Sequence, residues 1–138
     1  MNHFIKLFLF LITLAIQVSC LAQNPSNPKE MMIRIAEIEV NESDLEEYKK
    51  ILQEESEASI RLEQGVISIF PMYEQQNPNV VKILEIYANK EAYQAHLQTP
   101  HFLKYKTTTL NMVRSLKLIE MDALDPESMG KIFKKLKK

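Results

Sequence analysis

Residues 80–102 read VVKILEIYANKEAYQAHLQTPHF, and the opening residues alternate as a strand does. Val81, Ile83, Glu85 and Tyr87 fall on one face and Val80, Lys82, Leu84 and Ile86 on the other, because successive side chains of an extended chain point to opposite sides. Asn89 breaks the alternation and is a good helix cap. After it, Ala92, Tyr93, His96 and Leu97 share one side of a short helix. A second helix starts at once: Thr99 can cap, Pro100 suits the first helical position because its missing N–H would go unused there, and Phe102 opens the next apolar stripe. The stretch therefore carries a carboxylate and a phenol on one strand face, followed by two histidines five residues apart.

The flanking segments complete a simple alternation. Upstream, Val66 to Glu74 is a strand interrupted by Pro71, which cannot donate to a ladder and so predicts an edge position or a bulge. The QQNPN turn at residues 75–79 joins it to the strand at Val80 as an antiparallel hairpin. Before it, Ser43-Asp44-Leu45-Glu46 has the spacing of a capping box. The long helix it opens carries Leu45, Tyr48, Ile51, Leu52, Ala58 and Leu62 as one stripe, and Gly65 is placed to end it in a C′ role. Met31 to Val40 is the first strand, with Ile33 and Ile35 on one face and Met32, Ala36, Ile38 and Val40 on the other. Downstream, Met112 to Met121 is the last. The order β-α-β-β-α-β predicts an α+β, ferredoxin-like domain over residues 31–122. Helices on one side of a four-stranded sheet leave the other side apolar, so the chain is expected to dimerise or to enclose a ligand.

The ends differ from this domain. Lys6 followed by an apolar run from Leu7 to Ile16 reads as an export signal over residues 1–22, too short for a comfortable membrane span. Cleavage after Ala22 is expected, with lipoprotein processing at Cys20 as the alternative; the product is then periplasmic or extracellular, with no stable membrane span. Residues 23–30 are a Pro- and Asn-rich linker. Residues 123–138 form a basic tail in which Ile132, Phe133 and Leu136 recur at helical spacing among lysines. Net charge is −1 for the whole chain. Removing Lys6 with the signal gives −1 − 1 = −2, which argues against a nucleic-acid partner held by overall positive charge. The chain's one cysteine is Cys20, so cleavage after Ala22 would leave no thiol for disulfides or catalysis.

The segment LEIYANKEAYQAHLQTPHF, together with the earlier ASIRLEQGVISIFPMYE, resembles the antibiotic biosynthesis monooxygenase family of dimeric α+β barrel proteins. The resemblance covers about residues 31–121 and is carried most specifically by E-x-Y, A-Y-x-x-H and T-P-H-F. It implies a homodimer with two facing sheets and a pocket in each protomer between sheet and helices. The activities it implies are oxidation of quinols or phenols by O2 without a cofactor, haem degradation, or isomerisation of small molecules. The absence of tryptophan speaks against the haem-degrading branch.

On this resemblance the expected function is cofactor-independent oxygenation of a small quinol or phenol. The alternatives are a non-catalytic small-molecule-binding or stress protein, and an isomerase. His96 is the first candidate for proton transfer, since imidazole titrates near neutral pH, with Tyr87 and Glu85 beside it on the strand face. Tyr73, His101 and Phe102 are the candidate substrate contacts. A carboxylate within an apolar strand needs a partner; for Glu85 these are His96, Arg34, Arg114 or substrate. His96 is expected to face a cavity together with Tyr87 or Glu85. No cofactor is expected: with glycine only at positions 65 and 130 there is no phosphate loop. A metal held by His96, His101 and Glu85 is disfavoured, because the step between the histidines crosses a helix break and the rings need not converge.

Overall fold

A computed structural model describes residues 27–135 of the chain. The expected export signal, with its candidate processing points at Cys20 and Ala22, lies outside the described residues, as does Leu136 of the tail. The elements are β1 (Met32–Val40), α1 (Leu45–Leu62), β2 (Val66–Tyr73), β3 (Val80–Tyr87), α2 (Lys90–His96), α3 (Pro100–Thr109), β4 (Val113–Met121) and α4 (Met129–Lys134), with 3-10 turns at Glu42–Asp44 and Pro126–Ser128. The four strands form one sheet in the order β2-β3-β1-β4, every neighbouring pair antiparallel. This is the ferredoxin-like α+β arrangement, with the second helix split in two at Thr99. Pro71 sits on β2, an edge strand, and needs no ladder partner on its open side.

One sheet face carries Ala36, Ile38 and Val40 of β1 and Val81, Ile83 and Tyr87 of β3 into the core, against Tyr48 and Leu52 of α1. The register sets Leu116 and Leu118 of β4 opposite Ile38 and Ala36, on the same side. Both leucines nevertheless stay largely exposed, so the helical layer stops short of β4. Among the described residues, no helix covers the opposite sheet face. There Phe70, Met72 and Met121 lie open to solvent.

The structure corrects three local expectations. The capping box does not form: the chain enters α1 through the 3-10 turn, and Asp44, the N-cap residue, makes no side-chain cap hydrogen bond. Instead, Asn41 Nδ2 donates to Asp44 Oδ2 at 3.0 Å and to the Asn111 carbonyl at 3.0 Å, tying this entry to the start of β4. The buried stripe of α1 also runs differently. It continues from Tyr48 and Leu52 through Glu55, Ser56 and Ser59, while Leu62 is exposed. Finally, Gly65 does not close the helix with a left-handed backbone, since no described glycine has positive φ. A Cβ at Gly65 would lie 2.5 Å from the Ala92 Cβ, so glycine is required here by the close approach of α2.

Candidate functional site: a two-histidine, two-carboxylate cluster

The caps anticipated at Asn89 and Thr99 both form, and they aim the histidines. Asn89 Oδ1 accepts from the Ala92 amide at 2.8 Å and starts α2. Thr99 Oγ1 accepts from the Phe102 amide at 3.4 Å and donates to the His96 carbonyl at 2.8 Å, which locks the turn between α2 and α3. The rings of His96 and His101 are thereby brought across the helix break onto one side, with centroids 6.4 Å apart.

Both rings converge on Glu63, the residue that follows α1. His96 Nδ1 lies 3.0 Å from Glu63 Oε1 and His101 Nε2 lies 2.5 Å from the same oxygen. Burial pushes the Glu63 carboxyl up, but its hydrogen bonds to His96 and His101 outweigh that and hold it below the usual range. Glu63 is therefore ionised at neutral pH and can only accept, so both nitrogens facing it carry protons. In each neutral ring the lone pair falls on the other nitrogen: Nε2 of His96 and Nδ1 of His101.

Behind His96 stands a second carboxylate. Glu55 Oε1 is 3.8 Å from His96 Nε2 and accepts from Ser59 Oγ at 2.7 Å. Burial raises the Glu55 carboxyl above its ordinary value, because an ion taken out of water loses hydration that one hydroxyl replaces only in part. Glu55, His96, Glu63 and His101 thus form a chain of titratable groups with room for a mobile proton.

His96 itself is only 3% exposed. Its ring packs against Phe102 at 4.7 Å and against Tyr87 at 5.4 Å between centroids. The sheet–helix interface around it is filled by Tyr87, Tyr93 and Phe102, so the cavity expected in front of His96 is occupied by side chains. The space lies elsewhere. A groove of about 390 Å³ runs between α1 and α3, with Glu55, His101, Tyr105, Lys50 and Lys104 among its lining. Tyr105 shares a hydrogen bond with Tyr48 at 2.7 Å, and burial raises its phenol to about 12, so it stays protonated.

Glu85 belongs to a separate group on the sheet. Arg34 Nε and Nη2 donate to Glu85 Oε2 at 3.1 and 2.6 Å, and the Tyr87 hydroxyl donates to the same oxygen at 3.1 Å. Of the partners open to Glu85, the structure selects Arg34; Arg114 pairs with Glu39 instead, at 3.4 Å. The Arg34 guanidinium also stacks on Tyr93, 4.4 Å from its centroid. Burial, followed by the nearby Glu85 charge, raises the Tyr87 phenol far beyond its usual value.

The candidate residues therefore separate. His96, His101, Phe102 and Tyr87 are in contact with one another or with Glu63. Glu85 reaches them only through Tyr87. Tyr73 stands apart at the exposed end of β2, with Lys49 Nζ 4.3 Å from its ring centroid. Missing from the sequence reading were Glu55, Ser59, Glu63 and Tyr105. The first two lay on a readable signal, the Tyr48-Leu52-Glu55-Ser59 row, whose spacing is as helical as that of the apolar stripe preferred to it.

The family model described as antibiotic biosynthesis monooxygenase matches residues 31–108. The chain belongs to the antibiotic biosynthesis monooxygenase family. A solved structure from Bacteroides thetaiotaomicron, provisionally named as an antibiotic biosynthesis monooxygenase, is 46% identical, with 73% of this chain and 96% of that one covered and a TM-score of 0.72. A provisionally named monooxygenase from Lactobacillus acidophilus is 28% identical over 68% of this chain and 51% of that one, with a TM-score of 0.64. A Nitrosomonas europaea protein, given provisionally the same name as the first, is 23% identical over 71% and 94% of the two chains, and at a TM-score of 0.67 it shares the fold. No curated protein matches. Membership of the antibiotic biosynthesis monooxygenase family and the ferredoxin-like fold stand as the sequence suggested.

Proposed function

We propose that the protein is a cofactor-independent monooxygenase acting on a small quinol or phenol held in the groove between α1 and α3. The observation that carries this reading is the Glu63–His101 pair at that groove. An ionised carboxylate holding one ring nitrogen leaves the other as a base and stabilises the imidazolium that forms when it takes a proton. The acceptor would remove a phenolic proton, and the electron-rich anion would pass an electron to O2. One oxygen atom then enters at a ring C–H position, giving a hydroxyquinone from a quinol or a quinone from a phenol. The other leaves as water with two hydrogens taken from the substrate, so no external reductant is consumed. Tyr105, protonated at working pH, supplies a donor for the charge that develops on the substrate oxygen. In this reading His96 is the relay between Glu63 and Glu55, while Tyr87 and Glu85 hold it from the sheet.

Oxygen uptake with a naphthoquinol, measured above the uncatalysed background, tests this. His101→Gln should lower kcat by ~100-fold or more, the ordinary contribution of a positioned base, with the melting temperature unchanged. Quinol binding without any uptake by the unmodified protein would favour the non-catalytic binding protein instead. Uptake that is unaltered in His101→Gln would remove His101 from the chemistry.

The same proposal includes a homodimer in which the helix-free sheet faces meet. Phe70, Met72 and Met121 line a face that a soluble monomer would expose as one apolar patch. Sedimentation at micromolar concentration should give twice the chain mass. Among the described residues no helix is long and apolar enough to cross a membrane. Export, to the periplasm or beyond, remains part of the proposal and is checked by the intact mass of the exported protein. A mass that begins at Gln23 supports it, and a lipid-sized addition at Cys20 establishes anchoring instead.

A further inference from the structure

We propose that Glu55, His96 and His101 form a binding site for a divalent transition-metal ion, Zn2+ by the nature of its donors. One ligand atom from each of the three lies within 4.8 Å of the others. His96 Nε2 and Glu55 Oε1, at 3.8 Å, are close to the ~3.3 Å edge of a tetrahedron with ~2.0 Å bonds. A sub-ångström closure would bring these two to bonding distance of one ion.

Proximity alone would be weak ground, since acidic and imidazole groups often meet without an ion. The supporting arrangement is more specific. A metal-bound imidazole characteristically donates its other N–H to a carboxylate, which fixes the tautomer and strengthens the ligand. Here Glu63 accepts from His96 Nδ1 and so leaves Nε2, the nitrogen nearer Glu55, with the lone pair. Glu55 is oriented in turn by the Ser59 hydroxyl. Glu55 and His101 line the groove, which gives a three-ligand site one face open to solvent, as in zinc sites that keep a position for water. Two imidazoles with one carboxylate suit a borderline ion rather than Mg2+ or Ca2+, which prefer oxygen ligands.

The inference goes beyond the oxygenase reading and does not depend on it. An ion at this site would occupy the lone pairs proposed there to accept a proton, so occupancy should inhibit oxygenation. Binding also releases protons, because the ion displaces those that the cluster otherwise holds.

Co2+ is the probe, because a tetrahedral N/O set gives it strong visible absorption that the hydrated ion lacks. The full chain should carry Cys20→Ser so that its thiol cannot contribute. One Co2+ per chain with tetrahedral intensity, displaced by Zn2+, is the expected result. Glu55→Gln, close in shape to the native side chain, and His101→Gln should each abolish the band. Glu63→Gln should weaken binding by ~10–100-fold, the usual cost of losing a carboxylate behind a ligand. Glu54→Gln, an exposed neighbour on α1, should change nothing. Circular dichroism checks that each variant is folded. Only the pale spectrum of hydrated Co2+, or equal binding by folded Glu55→Gln, would overturn the site. Neither outcome bears on quinol oxidation, which is read separately by oxygen uptake.

Discussion

Two polar groups are buried side by side under the helices, and they are built on opposite plans. The first, on the sheet, joins Arg34, Glu85, Tyr87 and Tyr93. One cation meets one anion, a phenol donates to the same carboxylate oxygen, and an aromatic ring covers the guanidinium. The second, between the helices, sets two carboxylates around two imidazoles, with the 3.8 Å step between Glu55 and His96 longer than a hydrogen bond. The sheet group is closed and its charges cancel without help from solvent. The helix group changes charge whenever it gains or loses a proton, and of the two it alone borders the groove. A buried ion pair fixes a structure, whereas a cluster short of protons is where chemistry or a ligand can enter.

Removing one partner from the closed group should cost most. Arg34→Met leaves Glu85 buried with a phenol as its remaining donor, so urea unfolding should show a loss of ~3–5 kcal/mol, the usual penalty for an orphaned buried charge. A loss under about 1 kcal/mol would mean that water reaches Glu85 and that the group is not closed.

Breaking the helix group should cost less. In His96→Ala, Glu63 keeps His101 and Glu55 keeps Ser59, so no carboxylate is abandoned. What remains is a hydrogen-bond loss of ~1–3 kcal/mol, with a further cost wherever Tyr87 and Phe102 fail to fill the space. Thermal melting decides between the plans: a loss as large as that of Arg34→Met would show that both groups are structural in the same sense.

The difference between the groups also explains what the sequence revealed. The strand register made the face of Glu85 and Tyr87 readable, because period-two alternation needs no knowledge of the partner. The caps at Asn89 and Thr99 were readable because the helix start is a local event. Glu63 and Glu55 were not. Glu63 lies outside the helical period, in the turn between α1 and β2, and its role follows only from how α2 and α3 close over it. Glu55 sits on the buried face of α1, and a rule that places carboxylates in water assigns it to the wrong side. Ala58 and Leu62 offered a more apolar stripe and drew the expected face round the helix. Gly65 misled in the same way. Its position suggested a helix ending, but the Ala92 contact that requires it is tertiary.

Acidity should separate the two carboxylates of the open group. Glu63 is held below its unfolded value of 4.5, so its contribution to stability is fully present above that pH and is lost as pH falls through the lowered folded value. Glu55 is raised above the same unfolded value. The folded state then binds the extra proton, and the favourable contribution present below 4.5 is lost as pH rises through the raised folded value. Unfolding free energies across pH should therefore change slope on both sides of this value. Glu63→Gln should flatten the acid side and Glu55→Gln the other. If both variants retain the parent slopes, the two carboxyls titrate alike in the folded and unfolded states.

The smallest effect should come from Tyr73, the one aromatic candidate that neither group holds. It is 56% exposed, and its ring packs beside the Lys49 ammonium, 4.3 Å from the centroid. An exposed contact of that kind contributes ~0.5–1 kcal/mol, and no described hydrogen bond ends on the Tyr73 hydroxyl. Tyr73→Ala should lower stability by no more than that, and it should leave both the naphthoquinol uptake and the Co2+ spectrum as they were. The comparison that matters is with Tyr105, also a phenol but one that lines the groove beside Glu55 and His101. Tyr105→Phe removes only the hydroxyl, yet it takes away the donor proposed for the substrate anion, so kcat should fall. The loss of the bond to the buried Tyr48 hydroxyl should also cost ~1–3 kcal/mol of stability. If Tyr73→Ala proved the more damaging to uptake, substrate would have to enter at the far end of β2. The groove between α1 and α3 would then lose its claim as the site of reaction.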